Sequence, residues 1–169
     1  MKKQLLFLIL SISILFSGWS QSITVTSIDT NPAEVDSDFT VNINYTTTNA
    51  NDIIYIGLER KDVDGNWLAT IAEKSINPVG ASGTDVATSA IITVPSGITP
   101  SADLTGGEYY ELKVELNMEN WGGWLAGDYP LMTLVPNGTL GINDENLIKQ
   151  FELFPNPVSE TLNFKNNNG

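Results

Sequence analysis

From Phe39 to Thr46 apolar and polar residues alternate without a break. Phe39, Val41, Ile43 and Tyr45 fall on one side of an extended chain, and Thr40, Asn42, Asn44 and Thr46 on the other. A strand with one buried and one wet face demands this period of two. The same rhythm returns in Tyr110, Leu112, Val114 and Leu116, interleaved with Glu111, Lys113, Glu115 and Asn117. Shorter stretches carry it as well: Ile23–Thr26, then Ile54, Ile56 and Leu58, then Trp67–Ala72, and Val86–Val94, which Pro95 and Gly97 end. A last candidate spans Tyr129–Val135, where Pro130 suits an edge or a strand start because it has no N–H to give a ladder. Between two of these runs stands Asp64-Gly65, a hairpin signal, since both residue types accept positive φ.

No part of this stretch shows the 3.6-residue period of an amphipathic helix. About seven short strands separated by turns predict an all-β fold, an immunoglobulin/fibronectin-like antiparallel β-sandwich over residues 21–135, with a small β-barrel as the alternative. The prediction rests on pattern alone, because the chain has no cysteine to supply a Cys-Trp-Cys signature.

Composition narrows the chemistry. The 169 residues include no histidine and no cysteine. Ser-His-Asp and Cys-His nucleophiles, His/Cys zinc sites and disulfides are therefore excluded, and no cofactor is expected. With 8 Lys+Arg against 20 Asp+Glu, the formal charge of -12 argues against nucleic acid or an anionic membrane as partner. A cysteine-free domain must be stable through burial alone, which suits a core of ~100 residues or more.

The first residues read as an address. Lys2 and Lys3 precede an apolar run from Leu5 to Phe16, the layout of a secretory signal and too short for a confident membrane span. Residues 1–20 are the expected signal helix. Small residues at Gly18 and Ser20 predict cleavage between Ser20 and Gln21, with a second register at Ser20 and Ser22. No membrane span is expected after that cleavage, and no cysteine is present for lipid attachment.

Residues 136–150 are polar and turn-rich, a linker. Beyond it, in residues 151–169, Phe154 precedes Pro155-Asn156-Pro157, followed by Val158, Glu160 and the alternating Leu162 and Phe164. The prolines fix φ and forbid helix, and Asn156 suits the turn between them. This arrangement resembles the opening of the C-terminal sorting domain of the type IX secretion system of certain Gram-negative bacteria, with Phe154 where that family usually has Tyr. The resemblance implies passage through the general secretory pathway and then the type IX machinery, to a secreted or outer-surface location. Members of that family continue for several more strands, so the chain is expected to be a fragment or to carry a truncated sorting domain; a non-functional one would leave it periplasmic. Residues 23–135 likewise resemble Ig-like modules of secreted surface proteins and of polysaccharide-degrading enzymes, through Asn31-Pro32, the alternating second strand, Asp52–Leu58 and Tyr109-Tyr110. That resemblance implies a non-catalytic role.

Of the candidate chemistries, paired carboxylates are unpersuasive among twenty acidic residues in a fold with no elements to spare for a cleft. Asp62-Val63-Asp64-Gly65-Asn66 has its glycine too early for a calcium loop, at the fourth position instead of the sixth, and lacks the closing Glu, so a hairpin turn accounts for it. The aromatic cluster is more informative. Trp121-Gly122-Gly123-Trp124 falls in the expected connection between the last two strands, with Tyr129 just beyond. Exposed, these rings would stack on sugars; folded back, the indoles would cap the end of the core. The sequence thus predicts a secreted, non-catalytic binding or adhesion module with a glycan or other surface partner, Trp121, Trp124 and Tyr129 being the candidate contacts. A structural spacer within a longer secreted protein is the alternative. Intact-mass measurement of the exported protein is expected to show a chain beginning at Gln21; a mass retaining Met1 would refute the signal assignment.

Overall fold

The structure, a computed structural model, describes residues 20–140 together with 151–154 and 163–166. The expected signal segment, except Ser20, lies outside the described residues, as do residues 141–150 of the expected linker and Pro155, Asn156, Pro157 and Leu162.

Ten strands follow one another in the main body: β1 (Ser22–Ile28), β2 (Ala33–Glu34), β3 (Asp38–Thr47), β4 (Ile53–Lys61), β5 (Trp67–Ile76), β6 (Gly83–Thr93), β7 (Tyr109–Asn117), β8 (Trp124–Asp128), β9 (Leu131–Met132) and β10 (Leu134–Val135). Seven of them are the principal strands of an all-β sandwich. One sheet has the order β1-β3-β6, and the other β5-β4-β7-β8, with β9 also on β7. Neighbours within both sheets run antiparallel, while the short β2 and β10 pair in parallel. Farther along, β11 (Phe151–Phe154) and β12 (Asn163–Asn166) form an antiparallel pair that sets Leu153 opposite Phe164.

The alternating residues read from the sequence build the core. Phe39, Val41, Ile43 and Tyr45 from β3 face Ile54, Ile56 and Leu58 from β4 and Tyr110, Leu112, Val114 and Leu116 from β7, every one of them at most 1% exposed. Two polar anchors serve this interior. Tyr45 donates its hydroxyl proton to the Ala81 carbonyl at 3.1 Å, and buried Asp52 accepts one from Thr47. Across one margin, the Val25 N–H of β1 donates to the Asp128 carboxylate of β8 at 2.7 Å, joining the two sheets.

The hairpin expected at Asp64-Gly65 joins β4 to β5 through a five-residue turn, Asp62–Asn66, in which only Gly65 is left-handed (φ 84°). The Asp62 carboxylate holds it by accepting from the N–H groups of Asp64 and Asn66 and from the Asn66 amide. Two expectations need correction. Tyr129–Val135 is not one strand. Tyr129 and Pro130 separate β8 from β9, and the chain then turns from β9, which pairs with β7, to β10, which pairs with β2. Trp124 opens β8 instead of sitting in a loop.

Leu58→Ala, at a fully buried position, is expected to cost about 2–5 kcal/mol, whereas Ile91→Ala, whose side chain is 58% exposed, should shift stability by less than about 0.5 kcal/mol. Urea unfolding of both variants checks this.

Candidate functional site

Because every second residue of β4 and β7 is spent on the core, the residues between them are carried to the outer face of the four-stranded sheet. Register there sets Tyr55 opposite Glu115, Gly57 opposite Lys113, Glu59 opposite Glu111 and Lys61 opposite Tyr109. Like charges directly opposite one another destabilise a sheet, and two lysines resolve the clash between Glu59 and Glu111. Lys61 is bonded to Glu111 and lies 3.9 Å from Glu59, while Lys113 lies 3.9 Å from Glu59 and 3.4 Å from Glu115. Glu59 is buried at 6% exposure, although it sits on an outward-facing position. Burial pushes its carboxyl pKa up from 4.5, opposed by Lys113 and Lys61 and reinforced by Glu111 and Glu115. For Lys61, burial works against the charge, but Glu111 and Glu59 outweigh it and hold its pKa above 10.5.

Aromatic rings flank this charged stripe. Tyr55 meets Trp121 edge-on, with centroids 6.4 Å apart and planes at 73°. The Lys113 ammonium stands 5.9 Å from the centre of the Tyr55 ring, and that of Lys61 the same distance from the Tyr129 ring. Both tyrosine hydroxyls donate to carboxylates at 3.0 Å, Tyr55 to Glu73 and Tyr129 to Glu115. Burial, then Glu73, pushes the Tyr55 hydroxyl up to about 12; burial and Glu115 raise that of Tyr129. The rings lie flat because glycines leave them room. A Cβ at Gly57 would come within 2.8 Å of the Tyr55 hydroxyl, and one at Gly127 would overlap the Tyr129 ring.

The candidates from the sequence occupy two stations on this face. Trp121 leans on Tyr55, and with Glu73, Lys74 and Ser75 they line an open depression of about 420 Å³. Trp124 and Tyr129 stand beside one another at the β7–β8 side. Neither indole is tucked into the end of the core: Trp121 is 53% exposed and Trp124 59% exposed, with Tyr129 at 42%. Trp121 is held in place by strain, since Asn120 and Trp121 are both left-handed (φ 55° and 58°). That region costs a non-glycine residue about 1–2 kcal/mol.

Sequence reasoning missed Tyr55, Tyr109 and Trp67. Trp67 pairs with Lys61 on the edge strand, and its indole N–H donates to Thr70 at 3.2 Å. The signal was present in the alternation of Tyr55, Gly57, Glu59 and Lys61 between the inward residues of β4. Elsewhere, a hollow of about 310 Å³ lined by Thr47, Thr48, Ser82 and Gly83 offers neither a ring nor an ionised group to orient a ligand.

No known protein-family model matches the chain, and no curated protein does. Among solved structures it is similar to part of a β-glucuronidase from Ruminococcus gnavus in complex with D-glucuronic acid (13% identity, TM-score 0.35, covering 86% of this chain and 19% of that one). It is similar to part of a glycosyl hydrolase family 2 member from Bacteroides cellulosilyticus (13%, TM-score 0.37, 68% and 14%). A β-glucuronidase from glycoside hydrolase family 2 gives 13%, TM-score 0.37, 67% and 11%. The chain thus spans under a fifth of the length of each, and their activities are not carried over to it.

The raised pKa of Glu59 means that the folded state holds its proton more tightly than the unfolded chain does. Its contribution to stability is fully present below 4.5 and is lost as pH rises through the elevated value. Glu59→Gln escapes that loss, so its stability relative to the parent should increase between about pH 4 and pH 7. Urea unfolding at both pH values measures it; a constant difference would show that the carboxylate is not held against its preference.

Proposed function

We propose that this chain is a non-catalytic carbohydrate-binding module that works outside the cell, taking a glycan on the outer face of its four-stranded sheet. One observation carries the reading. Outside the core, the described residues hold six tryptophans and tyrosines, and all six (Tyr55, Trp67, Tyr109, Trp121, Trp124 and Tyr129) belong to the strands and connections of that one sheet. Flat rings beside hydrogen-bonding side chains suit sugars, whose ring faces are apolar and whose rims are hydroxylated. The signal segment and the sorting-domain resemblance support an extracellular address.

Backbone strain at Trp121 supports the same reading. A bulky residue kept left-handed on a surface costs stability, and such outliers gather where function requires them. Trp121→Gly relieves that strain while losing the edge-on contact to Tyr55, worth roughly 0.5–1.5 kcal/mol, so its thermal stability should stay close to the parent's. Binding should not. Both Trp121→Gly and Trp124→Ala are expected to weaken retention in glycan-array and affinity-gel assays by about tenfold or more, about 1.4 kcal/mol. Parent and variants that are equally inert across the array would leave the domain as a spacer.

A further inference from the structure

Resting on the glycan-binding reading above, we infer that this face selects uncharged, hydroxyl-rich polysaccharide chains and turns polyanionic glycans away. Four carboxylates (Glu59, Glu73, Glu111 and Glu115) share the face with two ammonium groups, and each ammonium already lies between two of those carboxylates. Lys61 and Lys113 are thus engaged already, the exposed Lys74 lines the Trp121 depression together with Glu73, and the chain behind the face carries a formal charge of -12. An approaching polyanion therefore meets repulsion over a range of about 8–10 Å at ordinary salt.

The Tyr55 and Tyr129 rings already hold Lys113 and Lys61 at 5.9 Å. Tyr55 and Tyr129 have committed their protons to Glu73 and Glu115, so what the face chiefly has left to offer is carboxylate lone pairs. Sugar hydroxyls bring donors to them without the negative charge that the face repels. Width adds a further condition. From β5 to β8 the sheet spans three inter-strand spacings, about 14 Å, and the two aromatic stations sit on different sides of the charged stripe. A chain of several sugars fits this span better than a single ring.

The test is native affinity electrophoresis of the full chain in gels cast with polymers that differ in charge: hydroxyethylcellulose and galactomannan as neutral probes, carboxymethylcellulose and polygalacturonate as anionic ones. At low salt, retardation by at least one neutral polymer should exceed that by either anionic polymer about tenfold or more. Raising the salt to about 0.5 M should narrow the gap to the anionic ones. The double variant Glu73→Gln with Glu115→Gln should gain retardation by carboxymethylcellulose. If an anionic polymer retards the parent as strongly as the neutral ones, the charge selection is overturned while glycan binding stands. If none of the four retards it, the binding reading falls and this inference with it.

Discussion

Two apolar sheet faces closing over a dry interior set the position of everything on the outside of this molecule. Once Ile54, Ile56 and Leu58 are committed to the core, Tyr55, Gly57, Glu59 and Lys61 have no choice of direction, and the same holds along β7. β7 turned by one residue would bury Glu111, Lys113 and Glu115 and expose Tyr110, Leu112, Val114 and Leu116. The outer face is therefore as fixed as the core beneath it. Groups held on paired strands are placed more accurately than groups on loops, which suits the glycan-binding role proposed for this face.

Stability alone does not explain what has been placed there. The ion pairs on this face are partly buried, so desolvation offsets much of their attraction, and burial works against the charged form of Glu59. Asn120 and Trp121 add two left-handed residues on the same side of the molecule. Gly57 and Gly127, poor strand formers, are kept where tyrosine rings need the space. Each feature by itself has a cheaper substitute: an uncharged polar residue for Glu59, a glycine for Trp121, a β-branched residue for Gly127. Their coincidence on one face is the physical reason to treat that face as a site.

Much of the fold could be read from the chain because β3, β4 and β7 are central strands whose inward residues must be apolar and whose outward ones need not be. β8 escaped. Trp124-Leu125-Ala126-Gly127-Asp128 does not alternate, because Gly127 sits beneath the Tyr129 ring and a bulge between Trp124 and Ala126 shifts the register against β7. Tyr129–Val135 looked continuous because Leu131 to Val135 is largely apolar; in the structure the stretch is shared between β7 and β2, two partners that no local pattern reveals. The site was half legible. Paired tryptophans drew attention to residues 121 and 124, but a loop at the end of the sandwich was expected where a sheet face was built. Tyr55 and Trp67 passed as ordinary strand residues, since their kinship with Trp121 and Lys61 comes only from long-range pairing.

The opposite face of the sandwich is the internal control. On the three-stranded sheet, outward positions pair Thr24 with Asn44, Ser27 with Asn42, Asn42 with Ser89 and Thr40 with Ile91. These are short, mostly neutral side chains that hydrogen-bond to one another, as the Asn42 amide does to Ser27 at 3.0 Å. The same alternation, on the same core, produced there an outward surface without rings, on which Asp38 opposite Thr93 is the one ionised group among the paired positions. Sandwich architecture therefore requires neither the aromatic stations nor the charged stripe, and their confinement to β5-β4-β7-β8 and its connections is the observation on which the proposed glycan-binding role rests.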